Sequence, residues 1–274
     1  MSTPRIKLTM LEAAVRYFEL VYHTTVRTVR VQSNGNATLG LISAVGQTLM
    51  LVMIFYLLFS LTGMKGGAVR GDPLLFLVSG VLMFFMHNTT LSKTVSAGLS
   101  VGPLMMHAPM TPTLVILASA LANLYLYVLS FMVILAGLYL FKGSVEINEP
   151  SKIILPFILA WASGIAIGLL LLVFKPFVPK LSKLISTLYQ RANLITSGKF
   201  FVANMLPNAF LPFFAWNPLF HSIDQMRGAL FVNYYPHNTS LSYPVYFVLT
   251  GLVIGLMLEF WLRNTVSKST VASN

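Results

Sequence analysis

His221, Asp224 and Arg227 fall within seven residues of one another in WNPLFHSIDQMRGALF (Trp216–Phe231), in a chain where only 9% of residues are charged. Three chemistries could use such a group: acid–base catalysis, metal binding or a structural ion pair. Catalysis would need a nucleophile at a fixed spacing, and the stretch supplies none. A metal site is weaker still, because one His and one carboxylate leave ligands missing. On a helix the spacing i, i+3, i+6 puts all three on one polar face, with Asp224 and Arg227 within ion-pair reach. The expected role is an ion pair that stabilises a short helix, not a reaction.

That helix has a defined start. Asn217 can cap free N–H groups, and Pro218 is tolerated at the first helical position. Leu219, Phe220, Ile223, Met226 and Leu230 then share an apolar face. Fourteen helical residues reach only about 21 Å, too short to cross a bilayer. Upstream, MLPNAFLPFFAWNP holds three prolines and predicts another short piece. Two short helices that dip into the outer leaflet are tolerated only where they are buried in protein or line a water-filled cavity. The pattern suggests a pore mouth.

The elements around it belong to a membrane protein. Of 274 residues 56% are hydrophobic, and the mean hydropathy is +0.78, whereas soluble domains carry about 25% charged residues. There are no cysteines, which excludes disulfides and thiolate metal sites. The net charge of +11 comes without a run of Lys or Arg, so nucleic acid is not the expected partner. Apolar segments long enough to span occur at Leu39–Leu61, Leu74–Thr90, Thr113–Phe141, Ile153–Phe174 and Tyr243–Leu262, and a sixth is expected from Leu181 to Ala203, where Pro207 blocks continuation. Residues 1–32 are not a signal peptide. Leu8, Leu11, Val15, Phe18 and Tyr22 recur at helical spacing, and basic residues flank them, so an amphipathic helix at the membrane interface is expected. With that helix inside, eleven Lys and Arg fall on the cytoplasmic side and five outside, which favours both termini in the cytoplasm. The expected fold is all-α, with residues 37–263 as one six-span bundle, 264–274 as a cytoplasmic tail, and a re-entrant segment between the fifth and sixth spans.

Two more cations bear on function. Arg191 falls in the middle of the fifth span, where a charge usually faces a polar cavity. If the span starts later, Arg191 snorkels to the interface instead. Lys199 lies eight residues on, about 12 Å along a helix.

The stretch from Ser197 to Phe231 resembles the signature of ABC-2 type permeases, in particular the capsule and O-antigen polysaccharide exporters. The resemblance rests on Ser197-Gly198, Leu206-Pro207, Asn217-Pro218-Leu219, Asp224 and Arg227, with Trp216 before and His221 after the Asn-Pro pair. It implies a homodimer in the bacterial inner membrane, joined to two copies of a separate ATPase that binds ATP and Mg, exporting a lipid-linked polysaccharide. The chain itself has no phosphate loop, since SGKFF lacks its first half, and no cofactor is expected in it. Periplasmic export proteins and membrane lipids are further expected partners. The resemblance also implies a coupling helix in the loop after the second span, with Leu99, Leu104, Met105, Met106 and His107 as its ATPase-facing residues. A glycan could slide along Arg191, Lys199, Phe200, Phe201, Phe213, Phe214, Trp216 and Phe220, whose rings stack on sugar faces. Asn217, Pro218, His221, Asp224 and Arg227 would form the periplasmic gate. Two alternatives stand beside this reading: an ABC-2 permease for a smaller substrate (teichoic acid, lipid or drug), and a membrane enzyme acting on lipid-linked sugars. The enzyme would need clustered carboxylates, and the seven acidic residues are scattered.

Overall fold

Glycine spacing decides which helices touch most closely. In the computed structural model, which describes residues 10–32, 36–61, 69, 71–97 and 111–272, Gly164 and Gly168 lie one turn apart on one face of helix α5 (Pro150–Leu172). A Cβ on Gly164 would stand 2.6 Å from the His87 carbonyl of α3 (Pro73–Ala97), and one on Gly168 would stand 2.7 Å from the Thr94 Cβ. Gly251 and Gly255 of α9 (Ser242–Ala272) repeat the device against Ala166 and Leu169 of α5. Apolar side chains gain little by leaving lipid for one another, so small residues that admit close backbone approach set the pairing.

The result is a bundle centred on α3 and α5. In the most apolar windows, 83% of α3 and 67% of α5 are buried, against 17% for α2 (Ala37–Leu61) and 28% for both α4 (Pro112–Lys142) and α9. The three outer helices therefore leave most of their apolar side chains for lipid. Polar bonds tie the layers together: Asn123 of α4 donates to Thr90 of α3 at 2.6 Å, and the Trp161 indole of α5 donates to the Ala120 carbonyl of α4 at 2.8 Å. Helix ends follow from local chemistry. Thr111 caps α4, Pro112 occupies its first turn, and Gly143 ends it at φ +77°, a conformation that glycine adopts without strain.

Five described helices are long and apolar enough to cross a membrane. The segment expected as the fifth span is instead α6 (Pro179–Thr196), 18 residues long and too polar to join that set. It starts at Pro179 and stops before Gly198, whose φ of +69° turns the chain. The helix therefore ends seven residues short of the expected limit at Ala203. A 3-10 turn (Ala203–Met205), α7 (Pro212–Ala215) and α8 (Pro218–Leu230) follow.

The amphipathic α1 (Met10–Gln32) packs on α4 through Val29, with Val21 and Thr24 also buried. Val15, Phe18 and Tyr22 of the predicted stripe remain exposed. That face takes no part in the bundle.

Candidate functional site

Helix α8 begins as the Asn-Pro pair predicts, with the Asn217 side chain accepting from the Leu219 N–H at 3.0 Å. Its far end is held by the loop before α5, where the Asn148 and Glu149 N–H groups donate to the Leu230 and Ala229 carbonyls at 3.1 and 2.9 Å. The apolar face packs against α3 and α5, with Leu219, Phe220, Ile223, Met226 and Leu230 all at 1% exposure or less. The polar face is buried as well. Asp224 and Arg227 are 1% and 0% exposed, so each charge needs polar partners inside the protein.

Those partners are not each other. The expected Asp224–Arg227 ion pair does not form; the direct pairs among the described residues are Asp72–Lys142 and Glu149–Lys152. Arg227 turns to the loop after α6. Its Nη1 donates to the Gly198 carbonyl at 2.7 Å and to that of Phe201, and its Nη2 donates to the Lys199 carbonyl at 2.5 Å. The Phe76 ring lies 3.8 Å from the guanidinium carbon, close enough for a cation–π contact. Burial pulls this guanidinium down to about 10, which leaves it charged at neutral pH. Asp224 turns the other way: Oδ1 accepts from the Ala203 N–H at 3.0 Å and the Tyr234 hydroxyl at 2.6 Å, and Oδ2 accepts from the Thr239 hydroxyl at 2.7 Å. The pair separates because three buried backbone carbonyls on one side, and three donors on the other, match each charge better than a single partner would.

His221 completes the clamp. Its Nε2 lies 2.8 Å from the Ala215 carbonyl and must carry the proton, while Nδ1 accepts from the Ser240 N–H at 3.2 Å. Only the neutral ring satisfies both. Burial pushes its pKa below the ordinary value, against smaller upward pulls from the Ala215 carbonyl and Asp224.

Helix α6 is polar on the side that meets the bundle. Ser182, Ser186 and Asn193 are buried, whereas Leu181, Leu184, Leu188 and Ile195 are exposed. Each turn makes a polar contact. Ser182 donates to the Leu171 carbonyl at 3.0 Å, Tyr189 meets His87 Nε2 at 3.0 Å, and Gln190 donates to Ser92 at 3.0 Å. Near the α8 start, Asn217 donates to Asn193 at 2.7 Å and Asn193 to Asn88 at 3.1 Å.

Beside this seam run two clefts, of about 460 and 520 Å³, that share Ser92, Thr187 and Gln190 and so form one groove along α3 and α6. Gln47, Phe84, Asn88 and Arg191 line one end; Lys175 and Lys183 line the other. Lys183, Thr187 and Arg191 recur every fourth residue, so a helix of regular pitch brings them to the same wall.

The candidate channel residues separate accordingly. Arg191 is exposed and lines the groove. Lys199 is 1% exposed, donates to the Leu194 carbonyl at 2.7 Å and sits 3.8 Å from the Phe84 ring centre, so its charge caps α6. Phe200 stacks on Phe55 at 3.6 Å. Phe201, Phe214 and the buried Phe220 form an aromatic cluster, while Phe213 and Trp216 stay exposed. Leu99, Leu104, Met105, Met106 and His107 lie outside the described residues.

Several residues at this site escape local sequence reasoning. A Cβ on Gly80 would come within 2.6 Å of the Lys199 carbonyl and 2.8 Å of Arg227 Nη2, so this glycine seats the clamp. Tyr234 and Thr239 gave no signal either. The polar period of α6 was a readable signal, since Ser182, Ser186, Gln190 and Asn193 recur at helical spacing.

No family model matches the chain. Two curated proteins from Escherichia coli, both named Polysialic acid transport protein KpsM, are 27% and 26% identical to it over 183 residues, covering 67% of this chain and 70% of each relative. Over two thirds of its length the chain is therefore similar to proteins named for polysialic acid transport, and five of its described helices are long and apolar enough to cross a membrane.

Proposed function

We propose that this chain is the membrane-spanning subunit of an ABC transporter that exports a lipid-linked polysaccharide across the bacterial inner membrane. The groove along α6 is the observation that carries the reading. A helix of 18 residues is about 27 Å long, close to the hydrocarbon thickness of about 30 Å, so α6 crosses the membrane as the fifth of six spans. Thr187 and Gln190 give a glycan polar partners, Phe85 gives a ring for a sugar face, and Arg191 gives a cation for an acidic polymer. The relatives' printed name, polysialic acid transport, fits such a cargo.

A second copy of the chain closes the open side of the groove, and two separate ATPase subunits drive the cycle. Helix α8 and its loops re-enter from the outer face and form a rigid closure at the outer end of the path. The chain carries out no covalent chemistry; it supplies the route, and ATP is consumed by the partner. Leu99–His107 make the ATPase contact, and both termini are cytoplasmic.

The test is surface glycan in a strain lacking this gene, complemented with the wild-type chain. Loss of surface polymer with intracellular accumulation of lipid-linked glycan is the expected result. Normal surface glycan in the deletion strain would overturn polysaccharide export and turn attention to a smaller substrate.

A further inference from the structure

We infer that the end of the groove bounded by Lys175, Lys183, Ser92 and Ser186 is a subsite for a phosphate group. The cleft there has a volume of about 520 Å³, and no acidic residue lines it. Lys183 stands exposed at its rim, and Lys175 reaches across to the Val95 carbonyl of α3 at 3.0 Å.

The two serines are what make the site selective. Gln190 spends both carboxamide hydrogens on them, donating to Ser92 Oγ at 3.0 Å and to Ser186 Oγ at 3.1 Å. Each serine oxygen is therefore an acceptor already in use, and its own hydroxyl hydrogen remains to be given. Neighbouring hydroxyls behave differently: Ser96 donates to the Ser92 carbonyl and Thr187 to the Lys183 carbonyl, the usual bond to the preceding turn. Ser92 and Ser186 make no such bond. Two hydroxyl donors and two ammonium groups thus line one cleft, which calls for a ligand that is anionic and rich in acceptors. A phosphate ester offers more oxygens to this set than a carboxylate does.

On the export reading, on which the identity of the ligand's carrier rests, this end of α6 is cytoplasmic. The phosphate is then the one that joins the lipid anchor to the polymer, and it is recognised as the substrate enters. A phospholipid headgroup carries the same chemistry.

Full-length chain in nanodiscs of phosphatidylcholine is titrated with pyrophosphate, and the titration is repeated with maltose and acetate, with phosphatidylglycerol discs, and with variants. Saturable pyrophosphate binding is expected, weakened about tenfold or more in Ser92→Ala/Ser186→Ala and in Lys183→Glu. Thr250→Val, whose hydroxyl serves its own helix α9 away from the groove, should bind as wild type. Lys183 is exposed, so its variant keeps the test valid if the serine variant fails to fold. Competition by phosphatidylglycerol would make a lipid headgroup the resident ligand; no competition would assign the site to the phosphate of the cargo. Absence of saturable pyrophosphate binding, unchanged binding in Lys183→Glu, or equal binding of acetate or maltose would overturn the subsite. Because no transport is measured, intact surface glycan in the deletion strain combined with phosphate binding would sink the export reading alone, and the converse pair would sink the subsite alone.

Discussion

Replacing Arg227 with Ala tests the claim that α8 and the loop after α6 form one rigid body. The guanidinium holds three backbone carbonyls, at Gly198, Lys199 and Phe201, in a site with no exposure to solvent. Each buried carbonyl left without a partner costs about 1–3 kcal/mol. Loss of all three therefore costs on the order of 3–9 kcal/mol before the cavity is counted, a large part of the roughly 5–15 kcal/mol that holds a typical domain together. Because the damage falls on one loop, local release of residues 198–204 is expected before global unfolding. The assays are thermal melting of the purified chain in detergent and limited proteolysis of the loop. The variant should melt many degrees lower and be cut within the loop at protease levels that leave the wild type intact. Arg227→Lys should fall between, since an ammonium carries charge without the planar fork. Wild-type melting and protease resistance in Arg227→Ala would refute the clamp, whatever the export phenotype.

Arg191→Ala should leave melting unchanged, because Arg191 is exposed on the groove wall, yet lower surface glycan at equal protein abundance; undiminished glycan would remove this charge from the path. Gly80→Ala should destabilise the same loop as Arg227→Ala, because its Cβ meets the Lys199 carbonyl at 2.6 Å, and combining the two changes should cost less than their sum. For His221, whose folded pKa lies below its ordinary value near 6.5, the neutral ring contributes stability above that value. The contribution is lost as pH falls below it, because the unfolded chain then binds a proton that the folded site resists. Melting temperature of wild type minus His221→Gln, measured at pH 7.5 and pH 5, should shrink at the lower pH; a difference independent of pH would contradict the assigned tautomer.

Much of this molecule was written in local pattern. The apolar runs placed five membrane-length helices, Asn217-Pro218 fixed the start of α8, and the segment from Ser197 to Phe231 carried a resemblance that the E. coli relatives support. These features depend on neighbours in sequence, through helix period, capping and transfer to lipid, so residue type and spacing suffice to read them. What local pattern could not assign was the partner of each buried charge. Asp224 and Arg227 stand three apart and look like an ion pair, but the acceptors of Arg227 are carbonyls 26 to 29 residues away, and any residue type can offer a carbonyl. The same holds for Lys199, whose ammonium serves the end of α6, and for Gly80, whose need to be small comes from a loop more than a hundred positions distant. Arg191 and Lys199 look alike in sequence; one lines a groove and the other is sealed inside. Hydrophobic period assigns a residue to a side of its helix, but only the packing of α3, α5 and α6 decides whether that side meets lipid, protein or an open polar path.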